Sequence, residues 1–304
     1  MQTISIIIPC YNRERFVAEA LESAFGQGYP RLEVIVVDDG STDGSADTVG
    51  RFPEARLIRQ RNCGVSGARN NGLKVSRGAL IVFLDSDDRL APRALSQAAS
   101  MFDADPSLAM AFGGNRIIDE NGKPVGVNVQ PARRFDYWDV LEGMTPSPSQ
   151  CMFRRTALEA AGGFDPAISL SEDWDLYLRL ARIGGIVCHG RIVADYRTHP
   201  GQTRVPAKAL RSALNILEAH GRSARSADEA ARFRAAKRHR KIYFGQFLLS
   251  ELARNLLNRD MAKCALSLKE IALSLPYSVS GAFRHLWARY SARRVRLVPP
   301  PGGT

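Results

Sequence analysis

The sequence predicts an α/β fold on a mostly parallel, Rossmann-like sheet flanked by helices, with a helical C-terminal extension. Three observations predict it. Short Val/Ile/Leu-rich runs bounded by turn residues occur at residues 4–8, 34–37, 56–58 and 80–84, as buried parallel strands do. Between and after them the apolar spacing becomes helical. Val17, Leu21, Ala24 and Phe25 share one face, and Ala94, Leu95, Ala98, Ala99 and Phe102 share another behind Pro92. Beyond His199 only helical spacing remains, through Leu210, Leu214 and Leu217 and then Met261, Ala265, Leu268, Ala272 and Leu275.

Strands alternating with helices imply a parallel sheet, and such sheets bind ligands at the carboxyl ends of their strands. After the first run stands Pro9-Cys10-Tyr11-Asn12 rather than a G-x-G-x-x-G turn, which argues against a dehydrogenase. Asp38-Asp39-Gly40-Ser41-Thr42-Asp43 follows the second run and Asp85-Ser86-Asp87-Asp88 the fourth. Carboxylates gathered at one sheet edge raise one another's pKa and cost stability unless a cation or hydrogen-bond donors offset them. Asp85 and Asp87, two residues apart at a strand end, are expected on one side with Ser86 turned away. Tyr11 offers a flat ring to a nucleobase, and a carboxylate after the second strand can accept a ring N–H. Further on, Glu172-Asp173-Trp174-Asp175 opens a helix whose Leu176, Leu178, Leu180 and Ala181 read as packed. That leaves acids in the first turn, at the positive end of the helix dipole.

A chain of 304 residues, 45% hydrophobic and 24% charged, is long enough for one full α/β core and an appendage. Its net charge of +11 is uneven: residues 205–304 hold nineteen Lys or Arg against six Asp or Glu, and residues 1–204 hold twenty-three against twenty-five. Six basic residues fall within 232–241. Such an excess fits an anionic membrane surface, nucleic acid or a solvated helical face. Five scattered cysteines without CxxC spacing make a disulfide framework or zinc site unexpected and fit a reducing cytoplasm. Neither a signal peptide nor a run of eighteen apolar residues is present, so the expected location is cytoplasmic, or peripheral on the inner face of the membrane.

In order, IIIPCYN, VIVVDDGSTD, GVSGARNNGL, FLDSDD, GGFD and SEDWDLYLRL resemble the motif set of the inverting family 2 glycosyltransferases of GT-A fold, across roughly residues 4–199. The resemblance implies transfer of one sugar from a nucleoside-diphosphate sugar to a hydroxyl of a glycan or lipid-linked acceptor, in cell-surface or exopolysaccharide assembly. It implies Asp87 as direct ligand of a divalent metal, Mn2+ or Mg2+, and Asp85 on the donor. Asp39 becomes the base contact, with Pro9, Tyr11 and Asn12 shaping the pocket and Asp38 buttressing it. Arg69 lies near the donor, Asp173 is the catalytic base with Glu172 the alternative, and His199 is a further metal or diphosphate contact. Trp174 either walls the acceptor site or joins the core, and Ser149, beside Ser147 and Gln150, is expected to line the acceptor pocket. The catalytic domain is expected at 1–204, with a donor half near 1–115 and an acceptor half near 116–204. A basic helical region follows at 205–304, including Trp287, Tyr290 and a Pro-rich tail from about 297. The QxxRW motif and membrane helices of processive members are missing, which implies one sugar per encounter. A nucleotide-sugar-binding protein without turnover would not need both Asp87 and Asp173. No zinc finger, homeodomain or RNP signature supports nucleic acid as a partner, and no GGxGTRL-like loop supports a nucleotidyltransferase.

Overall fold

Strand β1 (Ile4–Cys10) is buried at every position, which a central strand covered on both faces requires. Strands β2 (Leu32–Asp38), β3 (Arg56–Arg59) and β4 (Leu80–Phe83) complete a parallel group, with β1 between β2 and β4 and with β3 outside β2. The computed structural model describes residues 1–144, 146–199 and 206–274. Helices α1 (Val17–Phe25), α2 (Ser45–Val49) and α3 (Gly64–Val75) make the crossovers. Helix α1 buries Val17, Ala20, Leu21 and Ala24 in one cluster with Ile4, Ile6 and Ile8. Each aliphatic side chain so buried contributes about 1.5–3 kcal/mol. Ile7 faces the other way, toward α3, where a methyl group at Gly72 would collide with it.

The second half of the sheet is mixed. After β5 (Arg89–Leu90) and α4 (Ala94–Ala104), the chain forms β6 (Leu108–Ile118), β7 (Pro124–Asn128), β8 (Arg133–Phe135) and α5 (Tyr137–Glu142). It continues through β9 (Cys151–Arg154), α6 (Arg155–Ala160), α7 (Glu172–Leu180) and β10 (Gly185–Arg197). The sheet order is β3-β2-β1-β4-β9-β6-β10-β5, with β7 on β6 and β8 on β10. Strand β9 runs antiparallel to β4 and β6, whereas β6 and β10 are parallel. Because β6 passes through residues 115 and 116, the expected donor and acceptor halves share one sheet.

The chain divides into two compact units between residues 202 and 203. In the second, α8 (Pro206–Gly221), α9 (Ala227–Leu257) and α10 (Met261–Ser274) pack in succession, with Leu210, Ala213, Ile216, Leu217, Phe233 and Ala236 buried. Leu275, Trp287, Tyr290, the tail from 297 and the expected 204/205 boundary lie outside the described residues. Among those described, no helix is long and apolar enough to cross a membrane.

Candidate active site

The carboxyl ends of β1, β2 and β4 open onto one edge, as the strand order requires. Pro9 is buried within β1, and Tyr11 just beyond it is 46% exposed, its ring open to a partner. Asn12 adopts φ 52°, a left-handed conformation that asparagine tolerates. This turns the loop so that Asn12 N–H donates to Ser41 Oγ at 3.0 Å and Asn12 Oδ1 accepts from Thr42 N–H at 2.8 Å. The loops after β1 and β2 are thereby tied together. Asp38 is buried and serves that frame, accepting from Ser41 N–H at 2.9 Å and from Arg59 Nε at 3.0 Å. Asp39, also buried, accepts on Oδ1 from Gln60 Nε2 at 2.7 Å and Cys63 N–H at 2.8 Å. Those donors hold its carboxylate against the start of α3, while its own N–H donates to Cys10 O at the end of β1 at 2.8 Å.

The acidic turn differs from its expected geometry. Alternation of Asp85 and Asp87 needs extended backbone, but β4 ends at Phe83 and the chain turns, Asp88 N–H donating to Asp85 O at 3.0 Å. The two aspartates therefore have separate partners. Asp85 Oδ1 accepts from Arg69 Nη2 at 2.7 Å; Asp87 Oδ2 lies 3.0 Å from His199 Nε2 and 3.3 Å from Arg13 Nε. Burial, and after it the charge of Asp87, raises the pKa of Asp85, although Arg69 opposes the shift. Burial with the charges of Asp85 and Asp87 raises that of Asp88 well above the carboxylate range. The turn's carboxyls already face Arg69, Arg13 and the backbone N–H of Arg197. Asp87 and His199 fit a divalent cation, with a carboxylate oxygen and an imidazole nitrogen side by side, a set more usual for manganese than magnesium. Among the described residues no group of three His, Cys, Asp or Glu converges there. Remaining coordination positions would fall to phosphate oxygens and water.

Two buried residues hold this turn. Arg197, at the end of β10, is 0% exposed. Its Nε donates to Asp87 O at 2.8 Å, Nη1 to Glu120 O at 3.1 Å and Nη2 to Glu19 Oε2 at 2.6 Å, while its backbone N–H donates to Asp88 Oδ1 at 2.9 Å. Ser149 is 1% exposed and its hydroxyl accepts from Asp85 N–H at 3.0 Å. It braces the donor-side turn, then, instead of lining an acceptor pocket, because the loop before β9 folds under β4.

The acids of α7 face the same cleft from the other side. Glu172 Oε1 accepts from Arg69 Nη1 at 2.8 Å, so one guanidinium joins Glu172 to Asp85. Arg69 is buried on the ring of Phe164, 5.0 Å from its centroid, in the GGFD segment. Burial works against its charge, but Asp85 and Glu172 outweigh burial and keep it protonated. Its contacts are thus with carboxylates. Asp173 accepts from Trp174 N–H at 2.7 Å, and its pKa is pushed up to about 7, first by burial and then by the charge of Glu172, against the pull of Arg69. Trp174 is 1% exposed and donates its indole N–H to Val140 O at 2.8 Å. It belongs to the core and supports α7 from behind; it does not wall the cleft.

Arg13, Gln60 and Arg197 were not expected at this site. An arginine that pairs with a residue 110 positions away carries no local signature, and Gln60 reads as an ordinary residue at a strand exit. Only the neighbourhood of Arg197 and His199 in Tyr196-Arg197-Thr198-His199 offered a signal.

A mostly parallel Rossmann-like sheet with acidic segments at the ends of β2 and β4 and at the start of α7 has the architecture of the GT-A glycosyltransferases. The chain belongs to glycosyl transferase family 2, whose model matches residues 5–162. It is 33% identical over 210 residues to a chondroitin synthase of Escherichia coli, covering 64% of this chain but 29% of that protein. The chain thus spans less than a third of that relative's length. It is also 30% identical over 227 residues to the UDP-Glc:alpha-D-GlcNAc-diphosphoundecaprenol beta-1,3-glucosyltransferase of Escherichia coli, covering 73% of this chain and 88% of that one. The Staphylococcus aureus TarS 1–349 structure in complex with UDP-GlcNAc superposes with a TM-score of 0.61 at 19% identity, over 93% of this chain and 92% of that one. That likeness concerns the fold.

Proposed function

We propose that this protein is an inverting transferase that moves one sugar from a nucleoside-diphosphate sugar to a hydroxyl of a glycan or lipid-linked acceptor in surface polysaccharide assembly. The observation that carries the reading is Asp173, whose pKa is pushed up to about 7 by burial and by the charge of Glu172, the neighbour that Arg69 joins to Asp85 in the acidic turn. A base with a pKa near the working pH is the one best suited to take a proton from a sugar hydroxyl. Asp39 and Tyr11 receive the nucleobase, and Asp85 faces the donor. Asp87 and His199 would hold the divalent cation, which when bound would offset charge building on the leaving diphosphate. Asp173 takes the acceptor proton as the acceptor oxygen bonds to the anomeric carbon. The bond from that carbon to the diphosphate oxygen breaks on the opposite face, and the configuration inverts. Support for a lipid-linked acceptor comes from the relative named for a diphosphoundecaprenol substrate. The basic helices 206–274 would then rest on anionic lipid, with Leu256, Leu257 and Met261 exposed at the turn between α9 and α10. The test is a panel of UDP-, GDP- and dTDP-sugars, scored for release of nucleoside diphosphate with Mn2+, with Mg2+ and with EDTA. One sugar is expected to be released only with metal, and Asp87→Ala is expected to abolish the release with little change in Tm. Full release in EDTA would overturn the metal assignment.

A further inference from the structure

Asp87 Oδ2 is shared between His199 and Arg13, and the second contact is the unexpected one. The root of Arg13 is fixed, its backbone N–H donating to Ser45 Oγ at 2.8 Å. Its guanidinium bends back over the loop, Nη1 donating to Asn12 O at 3.0 Å and Tyr11 O at 3.3 Å, and Nε reaches Asp87. A guanidinium therefore occupies the Asp87 oxygen that faces His199, the oxygen a cation held by both residues would use. Two positive groups on one carboxylate oxygen repel each other, so a cation held there weakens the Arg13 contact. Arg13 has room to move: it is partly exposed and lines an open cavity of about 600 Å³ with Asn12, Phe16 and Arg51, where the carboxylates of Glu14 and Asp43 are already engaged by the backbone N–H groups of Gly44, Glu14 and Ser45. What draws it away must be negative and close by. A nucleotide diphosphate carried in by the cation meets both conditions, and its oxygens match the planar fork of an arginine.

We propose that Arg13 is a ligand of the donor's β-phosphate and, before the donor arrives, a guard on Asp87, so that metal and nucleoside diphosphate bind as a pair. The proposal rests on the donor and metal reading above. Guarding has a thermodynamic consequence: each partner weakens the Arg13–Asp87 contact for the other, so each raises the other's affinity.

The test is direct binding. Free Mn2+ is followed by its electron paramagnetic resonance signal, and UDP, GDP and UMP are titrated calorimetrically, with wild type, Arg13→Ala and Arg13→Lys. The expected result for Arg13→Ala is Mn2+ binding without nucleotide about tenfold tighter, and nucleoside diphosphate binding at saturating Mn2+ about tenfold weaker, the size of one charge-assisted hydrogen bond. UMP, which lacks the β-phosphate, should bind wild type and variant alike. Arg13→Lys should recover part of both effects. If wild type binds Mn2+ and nucleoside diphosphate together but Arg13→Ala changes neither affinity, the guard is wrong and the metal reading stands. Equal loss of UMP and UDP would also overturn it, by placing Arg13 in the base pocket. If wild type and Asp87→Ala bind Mn2+ equally with nucleotide present, the metal reading itself falls, and the guard with it.

Discussion

Asp173 begins α7 beside the positive end of the helix dipole, which alone would keep it ionised. Its pKa of about 7 shows burial and Glu172 prevailing over the dipole and Arg69. For turnover the sign is simple: the base must be unprotonated, so kcat/KM should rise with pH through a midpoint near 7. Asp173→Asn keeps the shape but removes the proton acceptor. Turnover should fall by about two to four orders of magnitude, the rising limb should vanish, and donor affinity should persist. Loss of donor binding with turnover of bound donor intact would show the role misassigned. Stability moves the other way. A carboxyl whose folded pKa is raised binds more protons folded than unfolded between pH about 4 and 7, so this group's contribution declines as pH rises through that window. Asp173→Asn should therefore melt above wild type at pH 8, with the gap closing toward pH 4.

The turn 85–88 lies at the level of the element, and its shape depends on residues far along the chain. Ser149→Ala removes the acceptor of Asp85 N–H and should cost about 1–3 kcal/mol. A lower Tm with a higher donor KM is the expected pattern. A drop in kcat with both unchanged would return Ser149 to the acceptor pocket. Arg197→Lys keeps the charge but loses the fork, stranding the carbonyls of Asp87 and Glu120. Because Glu19 is 38% exposed and can rehydrate, about 2–3 kcal/mol is expected, short of the cost of breaking a fully buried pair. Glu19→Gln, on the wetter side, should cost less; an equal loss of Tm would contradict this account. The sequence made the four parallel strands and α7 legible through apolar spacing, and the acidic segments after β2, after β4 and at the start of α7 through their motifs. It misplaced the partners of Asp85 and Asp87, since alternation assumes a strand that had already stopped at Phe83. Ser149 and Trp174 were read by their nearness to active motifs, but burial decided both. The antiparallel direction of β9 was not legible, because a four-residue apolar run carries no direction.

On the scale of the whole molecule, the first unit is near neutral and the second strongly basic. In the second, Lys237 pairs with Glu218 and Arg232 with Asp228, so the basic run is partly neutralised within its own helices. If it docks on lipid, vesicle binding should require anionic headgroups, weaken as salt rises and fall by roughly 1 kcal/mol for each cation removed near the surface. Replacing Arg234, Lys237, Arg238 and Lys241 by Gln should release protein from vesicles while donor hydrolysis in solution persists. Equal binding by wild type and variant would make the run a solvated helical face; tighter binding to nucleic acid than to vesicles at the same salt would name a different partner. In the first unit, Arg69 gives Asp85 and Glu172 a common partner from loops 87 residues apart. Losses from Asp85→Asn and Glu172→Gln should then fail to add, with an interaction energy of about 0.5–3 kcal/mol in a double-mutant cycle. With Asp85 on the donor and Asp173 as the base, as proposed, damage done at the donor would be inherited at the base, and a variant selected for a new sugar donor would arrive with its proton chemistry already altered.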